Sequence, residues 1–316
     1  MLSQRQRNIL DTALGVIEDT IISPFINLRS IDPEPIFIIG APRSGTTVFY
    51  QWFVHYLETN FSYLSRVGDL FPSASLSANW VGYKLFGKDL DISKVSEYGQ
   101  IKGYMALSEG NRVWHRYLKS TSDYVSPESI SHKELRFLTK VVKKHCYFFN
   151  SLIFINKSPH NSLRVNYLKT IFPRSKFIVL IRDGRDVSKS LLNARNHFYG
   201  RPDKWWSVKP NNWNDIDILQ PHIACAKQWQ SITSDMLNQI NTLDINSHIT
   251  LRYEDFLNQP FVELKKCYEK FDLRYSKNKE LTNLSHPTSY KSYFSEEEIS
   301  EINGAIYETL NQFDYI

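Results

Sequence analysis

Cysteine is nearly absent from this sequence: Cys146, Cys225 and Cys267 are the only three in 316 residues. Three widely separated thiols make neither a disulfide framework nor metal-ligand spacing, which leads us to expect a reducing compartment. Glycine (12) and proline (13) are too scarce for a collagen-like or low-complexity chain, and no internal repeat is visible. Long hydrophobic runs are missing as well. The most apolar N-terminal stretch, Ile9 to Ile26, is broken by Asp11, Glu18, Asp19 and Pro24. That interruption excludes a membrane-spanning helix, and the stretch lacks the basic start and cleavage site of a signal peptide, so a cytoplasmic location is expected. Charge of one sign is also in short supply, because 38 Lys and Arg against 33 Asp and Glu leave a net +5. So mild an excess suits a small anionic ligand better than a nucleic acid, which calls for a denser basic stripe.

What is present is the composition of a folded globular protein, with 42% hydrophobic, 14% aromatic and 22% charged residues. Four short apolar segments stand out at 35–39, 152–155, 176–181 and 248–251. Each is rich in β-branched or aromatic residues and too short for a helix, so each reads as a strand buried on both faces. Helical periodicity fills the intervals at 47–58, 133–149, 163–171, 187–195 and 224–240. The alternation predicts a three-layer α/β fold, a mainly parallel sheet flanked by helices. Leu10, Leu14, Ile17 and Ile21 recur at helical spacing, so residues 1–34 read as an N-terminal extension with a docking helix, followed by one domain over 35–316. A membrane-surface helix is the alternative, against which the acidic polar face speaks. Two stretches break the pattern. Residues 61–131 have no clean period, and 197–221 form a long loop with Trp205, Trp206 and Trp213, of the kind that serves as a lid or binding loop.

The first strand runs into Gly40-Ala41-Pro42-Arg43-Ser44-Gly45-Thr46-Thr47 and then a helix. Strand, glycine-bounded turn and helix N-terminus together make an anion cradle. Arg43 adds a full positive charge, and Ser44, Thr46 and Thr47 add hydroxyl donors. The Gly40-to-Gly45 spacing resembles a Walker A loop, but Thr46 stands where that loop requires lysine, and the cation has moved inward to Arg43. A second constellation, Arg182-Asp183-Gly184-Arg185-Asp186, follows the third apolar segment, with Ser190 eight residues after Arg182. At the carboxyl end of a parallel strand these side chains either reach an anion or form a salt-bridged helix start.

In combination and in this order, these segments resemble the sulfotransferases that use 3′-phosphoadenosine 5′-phosphosulfate (PAPS). Asn156-Lys157-Ser158-Pro159 and Leu251-Arg252-Tyr253-Glu254-Asp255-Phe256 extend the similarity, which spans about residues 35–316. The resemblance implies that Arg43, Ser44, Gly45, Thr46 and Thr47 hold the 5′-phosphosulfate, and that Arg182 and Ser190 hold the 3′-phosphate. It further implies Tyr253 near the adenine and Lys291 as a late basic residue over the donor. The cytosolic branch usually carries Lys where this chain has Arg43. An arginine stabilises a departing phosphate but does not protonate it.

A catalytic base is expected at His160, three residues after Lys157, where the family places such groups and an imidazole accepts a proton near neutral pH. Glu109, in an aromatic-flanked segment, is a rival, and His115 a weaker third. The implied reaction moves a sulfuryl group from PAPS to a hydroxyl of a small molecule, lipid or glycan and leaves adenosine 3′,5′-bisphosphate. Arg43 and Lys157 would stabilise charge, and no metal is expected. The alternatives are a P-loop kinase-like phosphotransferase and a non-catalytic nucleotide-binding protein.

Overall fold

The computed structural model describes residues 3–90, 98–99, 101–116, 122–276, 284 and 287–316. Its centre is a sheet of five parallel strands, β1 (Glu34–Ile39), β2 (Ser62–Tyr63), β3 (Ile153–Lys157), β4 (Lys176–Ile181) and β5 (His248–Arg252), in the order β2-β3-β1-β4-β5. Four are the apolar segments of the sequence. The edge strand β2 was not visible there, because two residues carry no periodicity and sit in the irregular 61–131 stretch.

The apolar runs are continuous because both faces of the sheet are covered. Ile36 and Ile38 of β1 point to one side, where they join Phe49, Tyr50 and Phe53 of helix α2. Phe37 and Ile39 point to the other side and pack with Val141 and Val142, and with Met236 and Ile240. The longer helices are α1 (Gln4–Ile17), α2 (Thr46–Tyr56), α3 (Ser75–Phe86), α4 (His132–Phe149), α5 (Gly184–Tyr199), α6 (Pro221–Ile240), α7 (Pro260–Lys270) and α8 (Glu296–Gln312). α5, α6 and α8 build a further apolar cluster around Trp229 and Ile302. Gly184, the first residue of α5, lies so close to Trp229 that a Cβ there would come within 2.4 Å of the indole.

α1 covers Leu10, Leu14 and Ile17 but ends before Ile21, and it packs on residues 72–74 through a face other than the expected one. Leu10, Leu14, Ile17 and Ile21 are exposed, whereas Asp11, Gly15 and Glu18 are buried. The reason is electrostatic. Asp11 pairs with Arg116 at 2.5 Å and accepts the Ser73 backbone N–H at 2.9 Å, and Glu18 pairs with the buried Lys144. A buried cation without its carboxylate is costly, so these pairs set the rotation of the helix.

Candidate active site

The order β3-β1-β4 places the loops after β1 and β4 side by side at the carboxyl edge of the sheet, where α/β proteins bind ligands. The β1 loop turns twice through positive φ, at Arg43 (71°) and Gly45 (85°). Gly45 is the residue before α2 and has no side chain to cap it, so the first-turn N–H groups of α2 are left for a ligand. Glycine is required at 45 on steric grounds too, since a Cβ would stand 2.1 Å from the Tyr253 ring.

Arg43, Gly45, Thr46, Thr47, Glu109, His160, Arg182, Ser190 and Tyr253 all line one cavity of about 520 Å³. Arg43 Nε donates to Ser190 Oγ at 2.8 Å, and Arg182 donates to the Arg43 carbonyl at 3.0 Å while its guanidinium lies 5.1 Å from the Tyr253 ring centre. The two anion constellations of the sequence are therefore hydrogen-bonded to each other. Burial, and then the neighbouring Arg182 charge, lower the Arg43 pKa from its usual 12.5. Two cations held this close concentrate positive charge at this end of the cavity.

Three expected residues sit elsewhere. Ser44 is fully buried, its hydroxyl has no protein partner, and it is not part of the cavity lining. Lys157 does not line the cavity but pairs with Glu109 and lies 3.4 Å from the Gly99 carbonyl. Lys291 is exposed, outside the lining. The basic residue of that region is Lys189, which reaches the carbonyls of Thr288 at 2.6 Å and Ser289 at 3.2 Å, while Asp186 accepts the Tyr290 N–H at 2.7 Å. The β4 segment divides between its two sides. Asp183 and Arg185 form the salt-bridged helix start at 2.7 Å, whereas Arg182 and Asp186 face the cavity. Glu254 accepts the Asp183 N–H at 3.0 Å, which ties the β5 segment to the β4 loop.

Glu109 lines this cavity and also a smaller one of about 160 Å³, with Arg66, Asp69 and Leu107. Burial raises the Asp69 carboxyl above its usual range despite hydrogen bonds from Ser108 and Arg112. His160 belongs to a different group. Its Nδ1 is 3.0 Å from Asp123 Oδ1, with His115 Nε2 3.5 Å from the same oxygen and Arg164 2.8 Å from it. Burial opposes ionisation of Asp123, but His115, His160 and the Arg164 charge outweigh it and hold the carboxyl well below the carboxylate range. Burial lowers the His115 pKa. These three groups offer a metal three donor atoms within 4.8 Å of one another, with Arg164 already on the shared oxygen.

Tyr98, whose ring lies 5.1 Å from the Arg43 guanidinium and stacks on His197, is not marked by any local pattern. Its contacts join segments about a hundred residues apart, which no local pattern reports. Trp206, from the flagged loop, does reach the cavity, stacked on Phe198 at 5.6 Å.

A parallel sheet carrying a glycine-bounded anion loop, with arginine in place of the Walker lysine, is the construction of a P-loop-like α/β transferase. The particular family follows from comparison. The sulfotransferase family model matches residues 35–277, and the chain belongs to that family. It is 22% identical over 294 residues to the omega-hydroxy-beta-dihydromenaquinone-9 sulfotransferase Stf3 of Mycobacterium bovis, covering 84% of this chain and 70% of that one. Protein-tyrosine sulfotransferase A of Caenorhabditis elegans is 22% identical over 258 residues, covering 79% of this chain and 55% of that one. Among solved structures, the sulfotransferase STF9 from Mycobacterium avium shares the fold with a TM-score of 0.59 at 13% identity, covering 95% of this chain and 81% of that one.

Proposed function

We propose that this sulfotransferase takes its sulfuryl group from PAPS and delivers it to a hydroxyl, with the donor in the 520 Å³ cavity and the acceptor entering from the smaller cavity beside it. The observation that carries the reading is the joined pair of anion sites. One cavity holds an open helix N-terminus with Arg43, and beside it Arg182 and Ser190, which suits a nucleotide with phosphates at both ends of its ribose. Arg43 and the α2 N-terminus would hold the 5′-phosphosulfate, with Thr46 and Thr47, and Arg182 and Ser190 the 3′-phosphate. The relatives named for an omega-hydroxy menaquinone and for protein tyrosine support a hydroxyl acceptor.

In the transfer the acceptor oxygen forms a bond to sulfur as the bond from sulfur to the 5′-phosphate oxygen breaks, and that oxygen keeps the electron pair. Glu109 takes the hydroxyl proton. It is preferred to His160 because it lines both cavities and is paired with Lys157, whereas His160 is engaged with Asp123, His115 and Arg164. Arg43 offsets the charge that develops on the transferring group and the departing phosphate, while Lys157, outside the lining, positions Glu109 through their ion pair. Turnover with labelled PAPS and a panel of hydroxyl acceptors tests the assignment. Glu109→Gln should lose ~10²–10⁴-fold in rate, the usual cost of a missing general base, with donor affinity kept. His160→Ala should stay within about tenfold. The opposite ranking transfers the role to His160.

A further inference from the structure

An amphipathic helix on a water-soluble surface normally buries its apolar face. Here the N-terminal segment does the reverse. Asp11 and Glu18 are turned inward onto Arg116 and Lys144, and Asp19, half-buried, is held 2.6 Å from Lys140. Ile9, Leu10, Val16, Ile17, Ile21 and Phe25 face outward, with Phe25 88% and Ile9 62% exposed. Asp11 and Glu18 are thereby spent on the protein interior, Asp19 is partly exposed but paired with Lys140, and the fully exposed residues between 5 and 25 include Arg5 but no acid.

Exposed apolar side chains also lie on α3, beside this segment. Glu18 accepts the backbone N–H of Ser77 at 2.7 Å, so the start of α3 is fixed against the end of this segment. Trp80, Tyr83, Leu85 and Phe86 are all exposed on α3, together with Lys84 and Lys88, and residues 75–88 contain no acidic side chain. Two neighbouring elements therefore present aliphatic and aromatic side chains with the cations Arg5, Lys84 and Lys88, interspersed with the uncharged polar residues Gln6, Asn8, Thr12 and Thr20.

We propose that this face is a docking surface for an anionic lipid bilayer, with α1 and the turn after it lying in the interface plane. Apolar side chains among cations are what such a surface rewards, since the aliphatic groups enter the acyl boundary while the cations meet the headgroups. Trp and Tyr suit the same boundary, having an apolar body and a polar tip. A second copy of the chain is a poorer occupant, because two-fold pairing of this face would supply no counter-charge for Arg5, Lys84 or Lys88. The proposal is independent of the donor and of the catalytic base.

Flotation of the full chain with vesicles tests it. Vesicles of phosphatidylglycerol and phosphatidylcholine in equal parts should carry the protein, and pure phosphatidylcholine should carry far less. Ile17→Asp and Phe25→Asp should each lower binding by about tenfold or more, because each puts a charge where an apolar group enters the lipid. Their circular dichroism and melting temperature should stay unchanged, since both side chains are exposed. Arg5→Glu should cut binding to the anionic vesicles selectively. Failure to float with the anionic vesicles, binding that ignores these substitutions, or equal binding to both vesicle types overturns the proposal. So does a dimer, seen by light scattering without lipid, that the same substitutions split.

Discussion

Gly45 shows how closely single residues are constrained at the site. Its φ of 85° and the Tyr253 ring 2.1 Å from where a Cβ would stand leave room for nothing larger. Gly45→Ala should therefore cost about 1–3 kcal/mol of stability. It should also weaken donor binding, because Tyr253 must move and Arg182 rests against that ring. Denaturant unfolding and calorimetry check both effects, and an unchanged variant in both would remove the glycine from the argument. The glycines and Arg43 were legible in the sequence because the anion loop is a contiguous motif, and Arg182 because it opens a second contiguous motif after β4. Tyr98 and Lys189 were not, since what recruits them is contact with segments about a hundred residues away.

The strands and helices were legible to differing degrees for related reasons. β1, β3 and β4 are continuous apolar runs because both faces of the sheet are covered there, and that burial is written directly into composition. β5, expected to be buried on both faces, instead lies at the sheet edge with Thr250 exposed and only Leu251 buried. The helix at the N-terminus was readable by its period but not by its orientation. Which face turns inward depends on Arg116 and Lys144, placed by distant parts of the chain. α4 carries a second buried polar group, His145, which is fully buried with its Nδ1 2.9 Å from the Val141 carbonyl. Burial lowers its pKa from 6.5 to about 4. The unfolded chain therefore binds the proton more readily between those two values, so the stability His145 contributes is present above about pH 6.5 and is lost as pH falls toward 4. The penalty for His145→Gln should be about 2 kcal/mol smaller at pH 5 than at pH 7.5. Urea unfolding at the two pH values reads this directly, and an equal penalty at both would contradict a neutral buried imidazole.

At the scale of the molecule, the strand order does most to create the site. β1 lies between β3 and β4, so the anion loop after β1 has the Lys157 segment on one side and the Arg182 segment on the other. The segment at 287–290 closes the cavity through Asp186 and Lys189. Among the described residues, no helix is long and apolar enough to cross a membrane. The central claim is that this one cavity reads both ends of a nucleotide carrying 5′- and 3′-phosphates. The most direct test is the ratio of affinities for adenosine 3′,5′-bisphosphate and adenosine 5′-monophosphate, measured by calorimetry for the native protein and for Arg182→Ala. A ratio cancels any loss shared by both ligands, such as the Arg182 bond to the Arg43 carbonyl. The native protein should prefer the bisphosphate by about tenfold or more, as expected for a charge-assisted contact worth roughly 1.5–3 kcal/mol, and Arg182→Ala should bring the ratio close to one. A native protein that binds the two ligands equally, or a preference that survives in Arg182→Ala, would contradict the account.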